Sequence, residues 1–227
     1  MQRNLKQFII NGLEQFVTPN KVQLINQVLA QRTRHITVVL EDFYHSHNAS
    51  AVMRTCDCFG VQDVYITQRL HDHSVNPNVV RGASKWLSLH MFEREETSTQ
   101  KCFNELKSKK YRLVGTTPNR DSASIKELDI IEPVAFVFGT EKQGLSEYAL
   151  EHVDELVHIP MFGFTESFNV SVSAALILNQ LVERAKEEGI AWQLTEEEKE
   201  DLKLEWYKNI VKRSDLHINN FIKEHSK

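Results

Sequence analysis

Apolar positions along the middle of the chain switch repeatedly between two periods. Ile36-Thr37-Val38-Val39-Leu40 is a continuous β-branched run, the pattern of a strand buried on both faces. Behind it, Ala49, Val52, Met53, Cys56 and Phe59 recur at helical spacings, which predicts an amphipathic helix, and Gly60 supplies its stop. Residues 61–66 read as a second strand. The alternation continues with a helix over 97–109, strands over 111–116 and 134–138, and a short helix over 145–152. A strand over 155–160 and a long helix over 169–188, rich in small and apolar residues, complete it. This order predicts an α/β fold: a parallel sheet flanked by helices.

The two ends carry no strand pattern. Residues 1–32 read as two helical pieces broken at Thr18-Pro19, with Pro19 suited to a first helical turn. Over 195–225, Thr195 followed by Glu198 forms a Ser/Thr-x-x-Glu capping box. Trp206 and Tyr207 are expected to pack back onto the body of the protein or onto a partner. The expected organisation is an N-terminal helical arm over 1–35, an α/β domain over 36–190 and a C-terminal helical extension over 191–227.

Composition changes this picture only in places. The chain has 227 residues, 41% hydrophobic and 26% charged, as an ordinary globular protein does. No apolar run approaches the roughly 20 residues that cross a bilayer. The first residues lack the apolar stretch of a secretory signal, so a cytoplasmic protein without membrane attachment is expected. The cysteines, Cys56, Cys58 and Cys102, are sparse and odd in number, which fits reduced thiols. Cys56 and Cys58 would face different sides of a helix, and His45-x-His47 and His71-x-His73 read as loop polarity; no metal is expected. A net charge of −4 gives no support to nucleic-acid binding by itself. The charge is uneven, however. Residues 1–35, which include Lys6, Lys21, Arg32 and Arg34, sum to +4, leaving −8 for the rest. Those cations read either as a solvated helical face or as an arm that meets phosphate.

Three stretches carry candidate chemistry. Dinucleotide and P-loop glycine signatures are absent from the sequence. In Asn48-Ala49-Ser50-Ala51-Val52-Met53-Arg54, Asn48 falls where a helix N-cap is wanted, and Arg54 would ordinarily be a surface or ion-pair residue. Phe138-Gly139-Thr140-Glu141-Lys142-Gln143-Gly144-Leu145 lies between a strand and a helix, either as a plain turn or as a loop whose glycines let backbone approach a ligand. The third stretch starts at Ile159-Pro160-Met161 and runs through Ser167-Phe168-Asn169 to Ala175. It ends a strand and opens a helix of small residues, where Ser167 or Asn169 would cap and free amides accept polar groups.

Together and in this order, the three stretches resemble the three motifs of the SpoU branch of the SPOUT RNA methyltransferases, over about Thr37 to Glu183. The resemblance implies a SPOUT α/β-knot with a deep C-terminal trefoil knot, and a homodimer that completes the active site. It implies S-adenosyl-L-methionine as cofactor and 2′-O-methylation of an RNA ribose as the activity. Asn48, Arg54, Glu141, Ser167 and Asn169 match the family's catalytic positions. Thr116, Gly139, Ile159 and Phe168 fall where the cofactor cleft is lined. The flanking helices are similar to those of enzymes that methylate guanosine 18 of tRNA, which makes the N-terminal arm, with Lys6, Lys21, Arg32 and Arg34, an expected RNA-binding segment. A ribosomal RNA substrate is the alternative within the family, and a non-catalytic RNA-binding protein the alternative outside it. A guanidinium stays protonated, so Arg54 is expected to grip phosphate and orient the ribose rather than act as a simple base.

Overall fold

The computed structural model describes residues 3–43, 46–68 and 85–225. They form two compact units. One comprises residues 33–192; the other joins the two ends of the chain, 1–32 and 193–227.

The larger unit is a seven-stranded parallel sheet with helices on both faces. Its strands are β1 (Ile36–Glu41), β2 (Asp63–Thr67), β3 (Ser88–Phe92), β4 (Arg112–Thr116), β5 (Ala123–Ser124), β6 (Val134–Phe138) and β7 (Glu155–His158). The order across the sheet is β3-β2-β1-β6-β4-β7-β5, and every paired neighbour runs parallel. Strand β6 is central: Val38 pairs with Phe136 on one side and Val114 pairs with it on the other. The continuous apolar runs are buried on both faces, as a parallel sheet requires. The period of two then sorts each strand between two cores. Val38, Leu40, Val134, Phe136 and Phe138 join one cluster. There they meet Val52, Met53 and Cys56 of α3 (Ser46–Cys58) and Ala174, Ile177 and Leu181 of α6 (Val170–Glu187). Val39, Ala135 and Val137 join the opposite cluster. Their partners include Cys102, Phe103 and Leu106 of α4 (Ser98–Ser108) and Ala149 of α5 (Glu147–His152).

Local signals explain several boundaries. Gly60 adopts the left-handed conformation (φ 77°) that ends α3. Ser146 caps α5 by accepting from the Ala149 amide, and Asn169 caps α6 by accepting from the Ser171 amide. Asn48 departs from the N-cap expectation, because α3 begins at Ser46 and leaves Asn48 inside its first turn. Strand β3 is a five-residue run, Ser88-Leu89-His90-Met91-Phe92, that the sequence reading did not pick out; its residues are half-buried, with Met91 exposed.

The terminal unit contains α1 (Arg3–Glu14), α2 (Pro19–Leu29), α7 (Glu196–Ile210) and α8 (Ser214–His225). Pro19 opens α2, and both halves of the Thr195–Glu198 capping box form at the start of α7. Trp206 and Tyr207 are buried within this unit. The Tyr207 hydroxyl donates to Glu14 at 2.9 Å, so the C-terminal extension packs on the N-terminal helices. No helix among the described residues is long and apolar enough to cross a membrane.

An ion pair ties the start of the larger unit to the sheet. Arg34 Nε donates to Asp63 Oδ2 at 2.7 Å, and His90 Nε2 lies 3.0 Å from Asp63 Oδ1. Burial pushes the Asp63 carboxyl up, but His90 and Arg34 outweigh it and hold the group below its ordinary value. A depressed carboxyl contributes stability above its unfolded pKa of about 3.9, and that contribution is lost as pH falls through the folded-state value. Arg34→Gln is therefore expected to lower stability by about 1–2 kcal/mol at neutral pH. Urea midpoints measured from pH 7 to pH 3 should show the difference shrinking as Asp63 protonates; a pH-independent difference would contradict this account.

Candidate active site

Parallel strands deliver all their carboxyl ends to one edge of the sheet, and ligands of open α/β sheets bind there. Here the ends of β4, β6 and β7 open onto a cleft of about 460 Å³, within the range of about 300–1,000 Å³ typical of small-molecule sites. Thr116, Gly139, Glu141, Ile159, Ser167 and Phe168, six of the residues singled out in the sequence, line it together.

The loop after β6 is closed on itself. Thr140 N–H donates to the Gly144 carbonyl and Gly144 N–H to the Thr140 carbonyl, both at 2.9 Å. Gly144 takes a left-handed conformation (φ 68°). At Gly139 a Cβ would lie 2.2 Å from the Gly144 carbonyl carbon, a distance no side chain tolerates against backbone. The two glycines thus serve the turn, and their close approach presents bare backbone to the cleft. Leu145 and Ile177 add apolar lining, while the Thr116 hydroxyl donates to the Val137 carbonyl at 3.1 Å.

Three polar side chains from separate stretches meet. Asn48, buried on α3, donates from Nδ2 to Glu141 Oε1 and accepts at Oδ1 from Asn169 Nδ2 at 3.4 Å. Asn169 in turn accepts from the Ser171 amide and hydroxyl at 2.9 and 2.6 Å. A single carboxamide, with a donor and an acceptor on one plane, is suited to bridging a carboxylate and a second amide. Ser167 stands exposed on the cleft wall.

Arg54 is not brought to this cluster within one chain. It is exposed on α3, about 120° around the helix and about 9 Å along it from Asn48, and it does not line the cleft. The cations of the expected RNA-binding arm are also placed differently from the sequence reading. Arg32 is 1% exposed, with its guanidinium 5.4 Å from the Trp206 ring centroid, and Lys6 pairs with Asp201 at 2.5 Å while itself buried. As placed, neither offers its charge to phosphate; both hold the terminal helices together instead. Arg34 is the Asp63 partner, and Lys21 lies half-buried on α2. His45, His71 and His73 lie outside the described residues, among which no cluster of metal-ligating side chains occurs.

Glu41 is a contributor the sequence reading missed. This buried carboxylate at the end of β1 accepts from the Ser146 amide at 2.9 Å, the Ser146 hydroxyl at 2.6 Å and the Thr99 hydroxyl at 3.0 Å. It thereby anchors the far end of the cleft loop. The signal was an acidic residue closing a β-branched, fully buried strand, a place where an unpaired charge would be costly.

Residues 35–179 match the SpoU rRNA Methylase family, a span that contains every residue lining the cleft. The chain belongs to the SpoU methylase family. A tRNA (guanosine(18)-2'-O)-methyltransferase of Borreliella burgdorferi is 38% identical over 94% of this chain and 95% of its own. The enzyme of the same name from Aquifex aeolicus is 29% identical over 88% of this chain. A crystal structure described as the A. aeolicus TrmH/SpoU tRNA modifying enzyme superposes with a TM-score of 0.73 at 29% identity, covering 85% of this chain and 98% of that one. The cleft of this SpoU-family chain is therefore built on a fold that it shares with that structure.

Gly139→Ala should abolish binding of the small molecule that occupies the cleft while leaving the far-ultraviolet circular dichroism of the protein intact. Retention of binding, read by calorimetry with S-adenosyl-L-homocysteine, would show that the close Gly139–Gly144 approach is dispensable.

Proposed function

We propose that this chain methylates the 2′-oxygen of a tRNA ribose, at guanosine 18, with S-adenosyl-L-methionine as donor. The observation that carries the reading is the meeting of Asn48, Glu141 and Asn169 beside a cleft lined by the glycine loop. The substrate assignment is supported by relatives named for guanosine 18 that match along almost the entire chain, terminal helices included.

The cleft residues fit the donor. Leu145, Ile159, Phe168 and Ile177 offer apolar surface to an adenine, Thr116 a hydroxyl, and the backbone of 139–145 close approach. When bound, the donor supplies a methyl group on a sulfonium, whose departure leaves a neutral thioether. Little negative charge then needs stabilising, so the protein's task is alignment and removal of one proton. Positioning of this kind lowers barriers by several kcal/mol, and general-base help adds a factor of about 10²–10⁴. Asn169 and Ser167 orient the ribose hydroxyl, and the Asn48–Glu141 pair keeps Asn169 in place. Arg54 grips the neighbouring phosphate.

A homodimer fits the position of Arg54, which would reach the cleft of a second copy rather than its own. Supporting this are Phe162 and Phe164, 96% and 108% exposed, and the half-exposed Val172 and Leu176 on α6. These apolar side chains are costly to leave in water. The family reading also implies a trefoil knot and a cytoplasmic location. The terminal helical unit is the part assigned to RNA docking.

The direct test is incubation with unmodified total RNA and labelled donor, followed by mapping of the modified ribose; label confined to ribosomal RNA would overturn the tRNA assignment. Arg54→Ala should retain donor affinity and lose methylation by at least about a hundredfold, the cost of letting the reacting ribose slip out of line. If Arg54 acts across a dimer, co-expression of Arg54→Ala and Gly139→Ala chains should restore part of the activity that each variant lacks alone. Near-normal turnover by Arg54→Ala alone would remove that residue from the mechanism.

A further inference from the structure

In the terminal unit, α1 and α2 enclose an open groove of about 1070 Å³ whose lining is rich in carboxamides: Asn11, Gln15, Gln23, Asn26 and Gln27. All five residues are exposed. Asn11 Oδ1 accepts from Gln7 at 2.8 Å, while the side chains of Gln15, Gln23, Asn26 and Gln27 make no hydrogen bond among the described residues. The charged residue of the lining is Glu14, and its carboxylate is already engaged by the Tyr207 hydroxyl at 2.9 Å and Lys203 at 3.0 Å. Phe16, which lies between the lining residues Gln15 and Val17 in the chain, is 54% exposed, with its ring 4.1 Å from that of His217.

This chemistry is poorly suited to phosphate and well suited to bases. A carboxamide sets a donor beside an acceptor, the arrangement that pairs with the edge of a nucleobase. Single-stranded RNA is recognised through splayed bases that stack on aromatic rings and are read along their edges. Two cations of the unit, Lys6 and Arg32, are meanwhile committed to Asp201 and Trp206. With a net charge of −4 on the whole chain, affinity for a polyanion must draw on contacts other than bulk attraction.

We propose that the α1–α2 groove receives unpaired nucleobases of the RNA substrate, read by its carboxamides, with Phe16 as the adjoining stacking surface. The proposal rests on the reading that RNA is the substrate, and it adds a base-recognition site remote in sequence from the methyl-transfer motifs.

The test is the full-length protein with Gln23→Ala and Asn26→Ala combined, and separately with Phe16→Ala, binding an unmodified tRNA transcript across a range of salt concentrations. Solvent-exposed substitutions of this type rarely disturb folding, and unchanged far-ultraviolet circular dichroism and thermal unfolding would verify it. The expected result is a loss of tRNA affinity of about tenfold or more in each variant, with the slope of log affinity against log salt unchanged, because base contacts release no counterions. Unchanged affinity overturns the proposal; if self-association falls at the same time, the groove belongs to a protein partner. A reduced salt slope overturns it too, since the groove would then be a phosphate site. Failure of the wild-type protein to bind or methylate tRNA would instead sink the functional reading on which the proposal stands.

Discussion

Strand β6 is hydrogen-bonded along both edges, to β1 and to β4, and covered on both faces by separate apolar clusters. A strand held in this way cannot shift register by one residue without turning Phe136 and Val137 into the wrong cores. Its exit at Phe138 and Gly139 is fixed accordingly, and so is the loop that closes on Gly144. The cleft inherits its shape from this constraint. The close backbone approach at Gly139 is possible because no side chain stands there, and the loop is anchored at one end by β6 and at the other by Glu41 through Ser146.

The polar network at the cleft uses the same economy of position. Asn48 sits in the first turn of α3, behind β1, and Asn169 caps α6, whose apolar face shares a core with α3. Packing of those two helices on one face of the sheet therefore brings their N-terminal ends toward the loop carrying Glu141. Helix N-termini leave amides unsatisfied, and Asn169 answers one of them at Ser171 while its own amide turns to Asn48. Cleft polarity and helix capping are met by the same side chains.

Charge is distributed differently from what the counts suggest. The positive excess near the N-terminus does not form an open basic face: Arg32 is enclosed with Trp206, Lys6 with Asp201, and Arg34 with Asp63. Burying a guanidinium against an indole is favourable because Arg is weakly hydrated and stacks on aromatic faces. The α1–α2 groove instead lines itself mainly with neutral carboxamides, next in the chain to the exposed ring of Phe16.

Much of the architecture was legible in the residues alone. Runs such as Ile36 to Leu40 and Val134 to Phe138 announce buried parallel strands because hydrophobic periodicity is a local property, and Gly60, Pro19 and the Thr195–Glu198 pair mark helix ends for equally local reasons. The three motif stretches identified the family because their residue types and spacings are specific. Strand β3 went unread because its alternation, Ser88-Leu89-His90-Met91, is short and carries no β-branched residue, and the fate of each cation was illegible, because a charge count does not say which side chain a fold will enclose. The joining of the chain ends into one unit and the bridge from Glu141 through Asn48 to Asn169 were decided only by tertiary structure: each depends on contacts between residues far apart in the chain, which no local pattern encodes.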